Sequence, residues 1–153
     1  GDRGAAGGGG EFVRVMTKEF LLPVRIYYED TDFSGIVYHA RHLHFFERGR
    51  TESLRECGLT HTELLARAAP LAFAVRKMTI EWIAPAKIDD LLEVRTRFLA
   101  IAGARLSLDQ EIWRDKTLVA RADVEAVCMS VDGKPRRVPA DLFEKLSLHI
   151  NIS

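Results

Sequence analysis

Three stretches in the second half of the chain alternate apolar and polar residues with a period of two, and they constrain the fold more than anything else in the sequence. Residues 92–98 put Leu92, Val94, Thr96 and Phe98 on one face and Glu93, Arg95 and Arg97 on the other. Residues 106–112 turn Leu106, Leu108 and Ile112 inward. Residues 118–128 set Leu118, Ala120, Ala122, Val124, Ala126 and Cys128 against Arg121, Asp123 and Glu125. Successive side chains of a strand point to opposite faces, so each stretch reads as a strand with one buried and one wet face, as in an antiparallel sheet. Ala102-Gly-Ala-Arg105 and Arg114-Asp-Lys-Thr117, which separate them, are short enough for hairpin turns.

A sheet with one apolar face needs a second layer to cover it. Residues 38–57 supply one: Leu43, Phe46, Leu54 and Cys57 recur at spacings of three, eight and three, which keeps them on one side of a helix. Gly58 is placed to cap its C-terminus, and Arg48 with Glu52 can pair at i,i+4 on the outer face. Arg50 falls within the apolar stripe, where a guanidinium requires a carboxylate or carbonyl partner. Phe45 projects among charged residues and reads as a contact surface. Thr60-His-Thr-Glu63 resembles a capping box for a short helix to about residue 67, Asp132-Gly133 marks the exit from the last strand, and Pro139 opens a short terminal helix. The expected architecture is α+β: about five antiparallel strands wrapped around one long helix, with Gly49, Ala120, Ala122 and Ala126 permitting close approach.

The length of 153 residues suits one domain. Residues 1–18, opening on a Gly-rich run, read as a flexible tail with Met16 nearer the functional start, leaving residues 19–153 as the folded unit. A formal charge of zero argues against a nucleic-acid binder, and no apolar run approaches the ~20 residues that span a bilayer. Cys57 and Cys128 lie in apolar contexts without a Cys-x-x-Cys spacing, which fits buried thiols in a reducing, cytoplasmic setting.

The chemistry concentrates in Tyr28-Glu-Asp-Thr-Asp32-Phe-Ser-Gly35-Ile-Val-Tyr-His39. A strand-like run, Val24-Arg-Ile-Tyr-Tyr28, feeds a carboxylate, a Ser-Gly turn and then the helix. On the residues alone, Asp32 is either a turn former or a carboxylate held near the free N–H groups of a helix start, as hydrolysis of an activated acyl group needs. Strand alternation would put Asp30 and Asp32 on one face and Glu29 on the other, with Asp30 the more structural of the pair. Gly35 permits a backbone conformation or close approach that a side chain would block. His39 and His42 share a helix face at i,i+3, but His44 projects elsewhere and there is no His-Glu-x-x-His spacing, so no metal is expected.

This segment, continued by Phe46-Glu-Arg-Gly-Arg-Thr-Glu52, Val75-Arg-Lys-Met-Thr-Ile-Glu-Trp82, Pro85-Ala-Lys-Ile-Asp-Asp-Leu91 and Pro135-Arg-Arg-Val-Pro139, resembles the 4-hydroxybenzoyl-CoA thioesterase family. Within that family it is similar to the acyl-CoA thioesterases associated with the bacterial Tol-Pal system. The resemblance implies a hotdog fold and hydrolysis of an acyl thioester to free acid and coenzyme A, without a cofactor. It implies Asp32 as nucleophile or general base, the N–H of His39 behind the Gly35 turn as the group polarising the thioester carbonyl, and Tyr28 and the His39 side chain as further site residues. Arg105, Arg136 and Arg137 would grip the phosphates of coenzyme A. The expected assembly is a homodimer or homotetramer with sites drawn from two chains, and acyl carrier protein is an alternative thiol carrier. The rival from another class is a non-catalytic subunit binding acyl thioesters or acyl carrier protein in envelope lipid metabolism. A hotdog dehydratase fits less well, because the motif is Asp-x-x-Gly.

Overall fold

The computed structural model describes residues Lys18–Ile150, so the expected tail before Lys18, including Met16, lies outside the described residues. Among the described residues, five strands and three α-helices follow in the order β1 (Phe20–Arg25), α1 (Arg41–Glu56), α2 (His61–Leu65), β2 (Leu71–Trp82), β3 (Leu91–Ala102), β4 (Arg105–Arg114), β5 (Thr117–Ser130) and α3 (Ala140–Ser147). The strands form one antiparallel sheet in the order β1-β3-β4-β5-β2. Both hairpins fall where the alternation breaks, with Gly103 and Asp115 in the left-handed conformation at φ 64° and 51°. Strand β2, which alternation did not single out, runs antiparallel to β5 from Leu71↔Ser130 to Trp82↔Ala120 and leaves its other side as a sheet edge.

The inner face of the sheet wraps α1. Leu92, Val94, Thr96 and Phe98 of β3, Leu106, Leu108 and Ile112 of β4, and Ala120, Ala122, Val124, Ala126 and Cys128 of β5 are all buried, as expected. Helix α1 contributes Phe45 and Phe46, both 0% exposed, and burying each such side chain stabilises the fold by about 1.5–3 kcal/mol. Close approach rests on Gly49: a Cβ there would lie 2.7 Å from Val94 Cγ1 and 3.0 Å from Gln110 Nε2. Gln110, an inward-facing polar residue of β4, has a partner for each polar atom. Its Nε2 donates to Phe46 O and Thr96 Oγ1, each at 2.9 Å, and its Oε1 accepts from Arg50 Nη1 at 3.0 Å. A fully satisfied amide in the core avoids the desolvation penalty and pins the helix to the sheet.

The structure corrects the expected helix in three respects. It begins at Arg41, not residue 38, after a turn through Tyr38–Ala40. Leu43 is exposed while Phe45 is buried, because the buried arc is centred on His42, Gly49 and Ser53 and the expected stripe lay along its edge. Glu52 pairs with Arg55 at 3.2 Å, and no Arg48–Glu52 pair forms. The termini behave as read: Gly58 at φ +85° ends α1 while Leu59 N–H donates to Leu54 O. Thr60 Oγ1 accepts from Glu63 N–H at the start of α2, which stops at Leu65.

Candidate active site

Strand β1 ends at Arg25, and residues Tyr28–Asp30 wind into a 3-10 turn. The strand alternation expected to align Asp30 and Asp32 therefore does not exist, and Tyr28 is 72% exposed. Asp30 is structural. Its carboxylate accepts from Tyr27 N–H at 2.8 Å and from Arg41 Nε at 2.6 Å, which staples the turn to the first residue of α1. The pair is largely buried, with side chains 5% and 17% exposed.

Beyond it, Thr31 and Val37 pair as an isolated bridge and close a tight turn over Asp32–Ile36. Asp32 N–H donates to Ile36 O at 2.9 Å and Gly35 N–H to Asp32 O at 3.0 Å. Gly35 sits at φ +84°, while a Cβ would meet only Ile88 Cγ2 at 3.9 Å, so backbone freedom and not space requires glycine here. The Asp32 carboxylate is exposed. Oδ1 accepts from the Ser34 hydroxyl, from Ser34 N–H at 2.8 Å and from Ile36 N–H at 3.4 Å. These donors, the Ser34 hydroxyl foremost, hold its pKa below the ordinary aspartate value, so Asp32 is an anion throughout the neutral range.

Helix α1 starts without a side-chain cap at Ala40. The N–H groups of Tyr38, His39 and Ala40 have no partner among the described residues, which leaves a free N-terminal dipole able to accept negative charge. The His39 ring stacks on Trp82, the last residue of β2, with centroids 4.7 Å apart. Together with Ile36, Val37, His42 and Ile83 they line a pocket of about 230 Å³. His42 is 2% exposed: Nδ1 lies 3.2 Å from His39 O, Nε2 has no partner among the described residues, and burial pushes its pKa below the usual histidine value. Neither Tyr28 nor Asp32 lines this pocket. The three expected site residues thus lie on the one segment between β1 and α1.

The expected phosphate-binding arginines lie on neighbouring segments: Arg136 N–H donates to Cys128 O, and Val138 N–H to Gly103 O in the hairpin that leads to Arg105. Arg136 and Arg137 line a surface pocket of about 630 Å³ with Arg67 and Leu71. Arg67 is already paired with Asp141 at 2.9 Å. Arg105 is not part of that pocket and lies 3.7 Å from Glu125. A third pocket, of about 160 Å³, lies between α1 and the sheet, where Glu47, Arg50, Thr51 and Leu54 face Phe73, Phe98 and Leu108. Both cysteines are buried and free, and burial raises the Cys57 thiol to about 11.

Sequence reasoning missed two features. Trp82 gave no signal, because its role depends on β2 ending beside His39. The second is an apolar collar around the Asp32 turn: Phe33 is 99% exposed, with Tyr27, Tyr28, Ile36, Tyr38 and Ile83 also open. Phe45, expected to be the contact surface, is fully buried.

An antiparallel sheet wrapped on one long helix, with an anionic turn ahead of the helix start, is the hotdog architecture of thioesterases. A family model described as the thioesterase-like superfamily matches residues 27–146, and the chain belongs to that family of thioester hydrolases. Acyl-CoA thioesterase YbgC of Haemophilus influenzae is 42% identical over 135 residues, 88% of this chain and 98% of that protein. Acyl-CoA thioester hydrolase YbgC of Escherichia coli O6:H1 is 44% identical over 128 residues, 82% and 94% of the two chains. Among solved structures, a probable thioesterase from Bartonella henselae superposes with a TM-score of 0.77 at 44% identity, covering 80% of this chain and all of that one. A mutant 4-hydroxybenzoyl CoA thioesterase complexed with 4-hydroxybenzoyl CoA gives 0.78 at 20% identity over 84% and 98%, a likeness of fold.

Proposed function

We propose that the chain hydrolyses acyl-CoA thioesters in the cytoplasm, with Asp32 as the catalytic carboxylate. The observation that carries this reading is an exposed carboxylate, kept ionised by Ser34, on the turn that leads to an uncapped helix start whose His39 N–H has no partner among the described residues. The thioester C–S bond breaks and a C–O bond forms from water; the thiol leaves with a proton. Asp32 acts either by taking the proton of the attacking water or by attacking the carbonyl itself and forming a mixed anhydride, which water then cleaves. The His39 N–H would stabilise the oxyanion, and the His39 ring and Tyr28 would border the reacting group. The reading includes no metal or redox cofactor, and it places the protein beside the Tol-Pal system.

The site is completed in a homodimer, which can pair again into a tetramer. β2 is an open edge strand, and exposed edges pair readily. Antiparallel pairing of two copies of β2 about its middle sets Trp82 and His39 of one protomer beside the Leu71–Val75 end of its partner. Arg136 and Arg137, which share a pocket with Leu71, would then meet the phosphates of the coenzyme A whose thioester lies at the neighbouring His39; Arg105 would stand at the same rim. The apolar collar supports the same assembly, since Phe33 packs on nothing among the described residues.

The test is steady-state hydrolysis across a panel of acyl-CoA thioesters, short aliphatic to long-chain and aromatic, with an acyl-carrier-protein thioester included. Turnover of CoA thioesters that is lost in Asp32→Asn supports the reading. Binding without turnover in wild type and variant alike favours the rival, a non-catalytic acyl-thioester or acyl-carrier-protein binding subunit of envelope lipid metabolism.

A further inference from the structure

The pocket between α1 and the sheet has a composition that a purely hydrocarbon acyl group does not explain. Its volume of about 160 Å³ is close to that of cavities that hold a benzene ring, and Phe73, Phe98, Leu106 and Leu108 make most of its wall apolar. Into this wall α1 sets Arg50. The guanidinium is half-buried, donates one hydrogen bond, to Gln110, and makes no ion pair among the described residues. Burial lowers its pKa, with only the Glu47 charge acting the other way. A guanidinium carries five N–H donors, and holding one in apolar surroundings is costly unless an acceptor meets it. The core needs Gln110 to hold the helix, and a neutral partner for Gln110 Oε1 would serve equally well. The charge is left without a structural purpose.

Position links the pocket to the reaction. Within one protomer, Arg50 lies about 14 Å along α1 from Arg41 at the rise of a helix, too far for a short acyl group held at the helix start. Across two copies of β2 paired about their middle, Phe73 and Val75 at the pocket stand beside the partner's Trp82, on which the partner's His39 stacks. This step rests on the dimer and the acyl-CoA reading given above.

We propose that this pocket receives the distal part of the acyl group and that Arg50 makes the enzyme select acyl groups that end in a carboxylate over plain hydrocarbon ones. Apolar walls hold the methylenes, and the guanidinium takes the terminal carboxylate with charge-assisted hydrogen bonds. Glu47, exposed at the same pocket, is the opposing charge and limits the preference.

The experiment compares kcat/KM for matched pairs of CoA thioesters: butyryl with succinyl, hexanoyl with adipoyl, octanoyl with suberoyl. Wild type should favour the carboxylated member of at least one pair. Arg50→Met should lower that selectivity ratio by about 10- to 100-fold, the worth of a hydrogen bond to a charged group. Arg50→Lys should keep part of it, and Glu47→Gln should raise it. A folding defect would depress both members of a pair and leave the ratio unchanged. The proposal is overturned if wild type shows no preference for a carboxylated acyl group at any length, or if Arg50→Met leaves the ratio as it was. Wild type that hydrolyses none of these thioesters would instead overturn the acyl-CoA reading itself, and the proposal with it.

Discussion

Two aromatic-rich regions of this chain have opposite fates. On the inner face of α1, Phe45 and Phe46 are fully buried, Gly49 lets the helix sit on Val94 and Thr96, and Gln110 satisfies its polar atoms against Phe46, Thr96 and Arg50. Around the Asp32 turn, Phe33, Tyr27 and Tyr28 lie open, and Trp82 stacks on the His39 ring. The first region is finished within one chain. The second holds its backbone firmly, through the Asp30–Arg41 pair and the Thr31↔Val37 bridge, while its side chains lack cover. Stability thus rests on the first cluster, while on the proposed reading the second serves function and is completed by a neighbouring copy.

The sharpest contrast is between two phenylalanines. Phe45→Ala should cost about 3–5 kcal/mol of unfolding free energy, the usual loss for a buried ring, measured by urea denaturation. Removing Asp32 acts on the other region alone: Asp32→Asn should lower kcat by at least ~100-fold while thermal unfolding stays within a few degrees of wild type. Turnover near the wild-type value would take Asp32 out of the mechanism. Phe33→Ala should leave unfolding of the protomer unchanged within ~0.5 kcal/mol but weaken dimerisation by about 10-fold or more, the worth of burying a phenyl ring between copies. A loss of protomer stability comparable to that of Phe45→Ala would break the comparison. The smallest effect concerns Ser34. Its donors favour the ionised form of Asp32, so the folded pKa lies below the unfolded one. The stabilisation they give is present above the ordinary aspartate value and is lost as pH falls through the folded pKa. Ser34→Ala, which removes the hydroxyl donor, should therefore move the acid limb of kcat/KM upward, toward the ordinary aspartate value. An unmoved or lowered limb would assign that limb to another group.

The strands of the inner sheet were legible because alternation is a local signal: β3 and β4 bury the residues it predicts, and β5 does so except at Leu118, where Val119 is buried instead beside a register shift in the pairing with β4. The helix buries Phe46, Leu54 and Cys57 as expected, but the centre of its buried arc was not legible, since His42, Gly49 and Ser53 carry no hydrophobic signal. Phe45 falls within the same arc. At the candidate site, the turn at Gly35 could be read from composition. The winding of Tyr28–Asp30 into a 3-10 turn could not, because it depends on Arg41 closing onto Asp30 from eleven residues away. Trp82 reaches His39 only through the length of β2, a tertiary fact with no local trace.

The central claim, that the Asp32 site is finished by a second copy of the chain, is tested most directly by sedimentation and specific activity measured on the same samples across a dilution series. The account predicts a dimer or tetramer at working concentration, with activity per protomer falling in step with dissociation. A protomer that sediments as a monomer at assay concentration and retains full activity would contradict it.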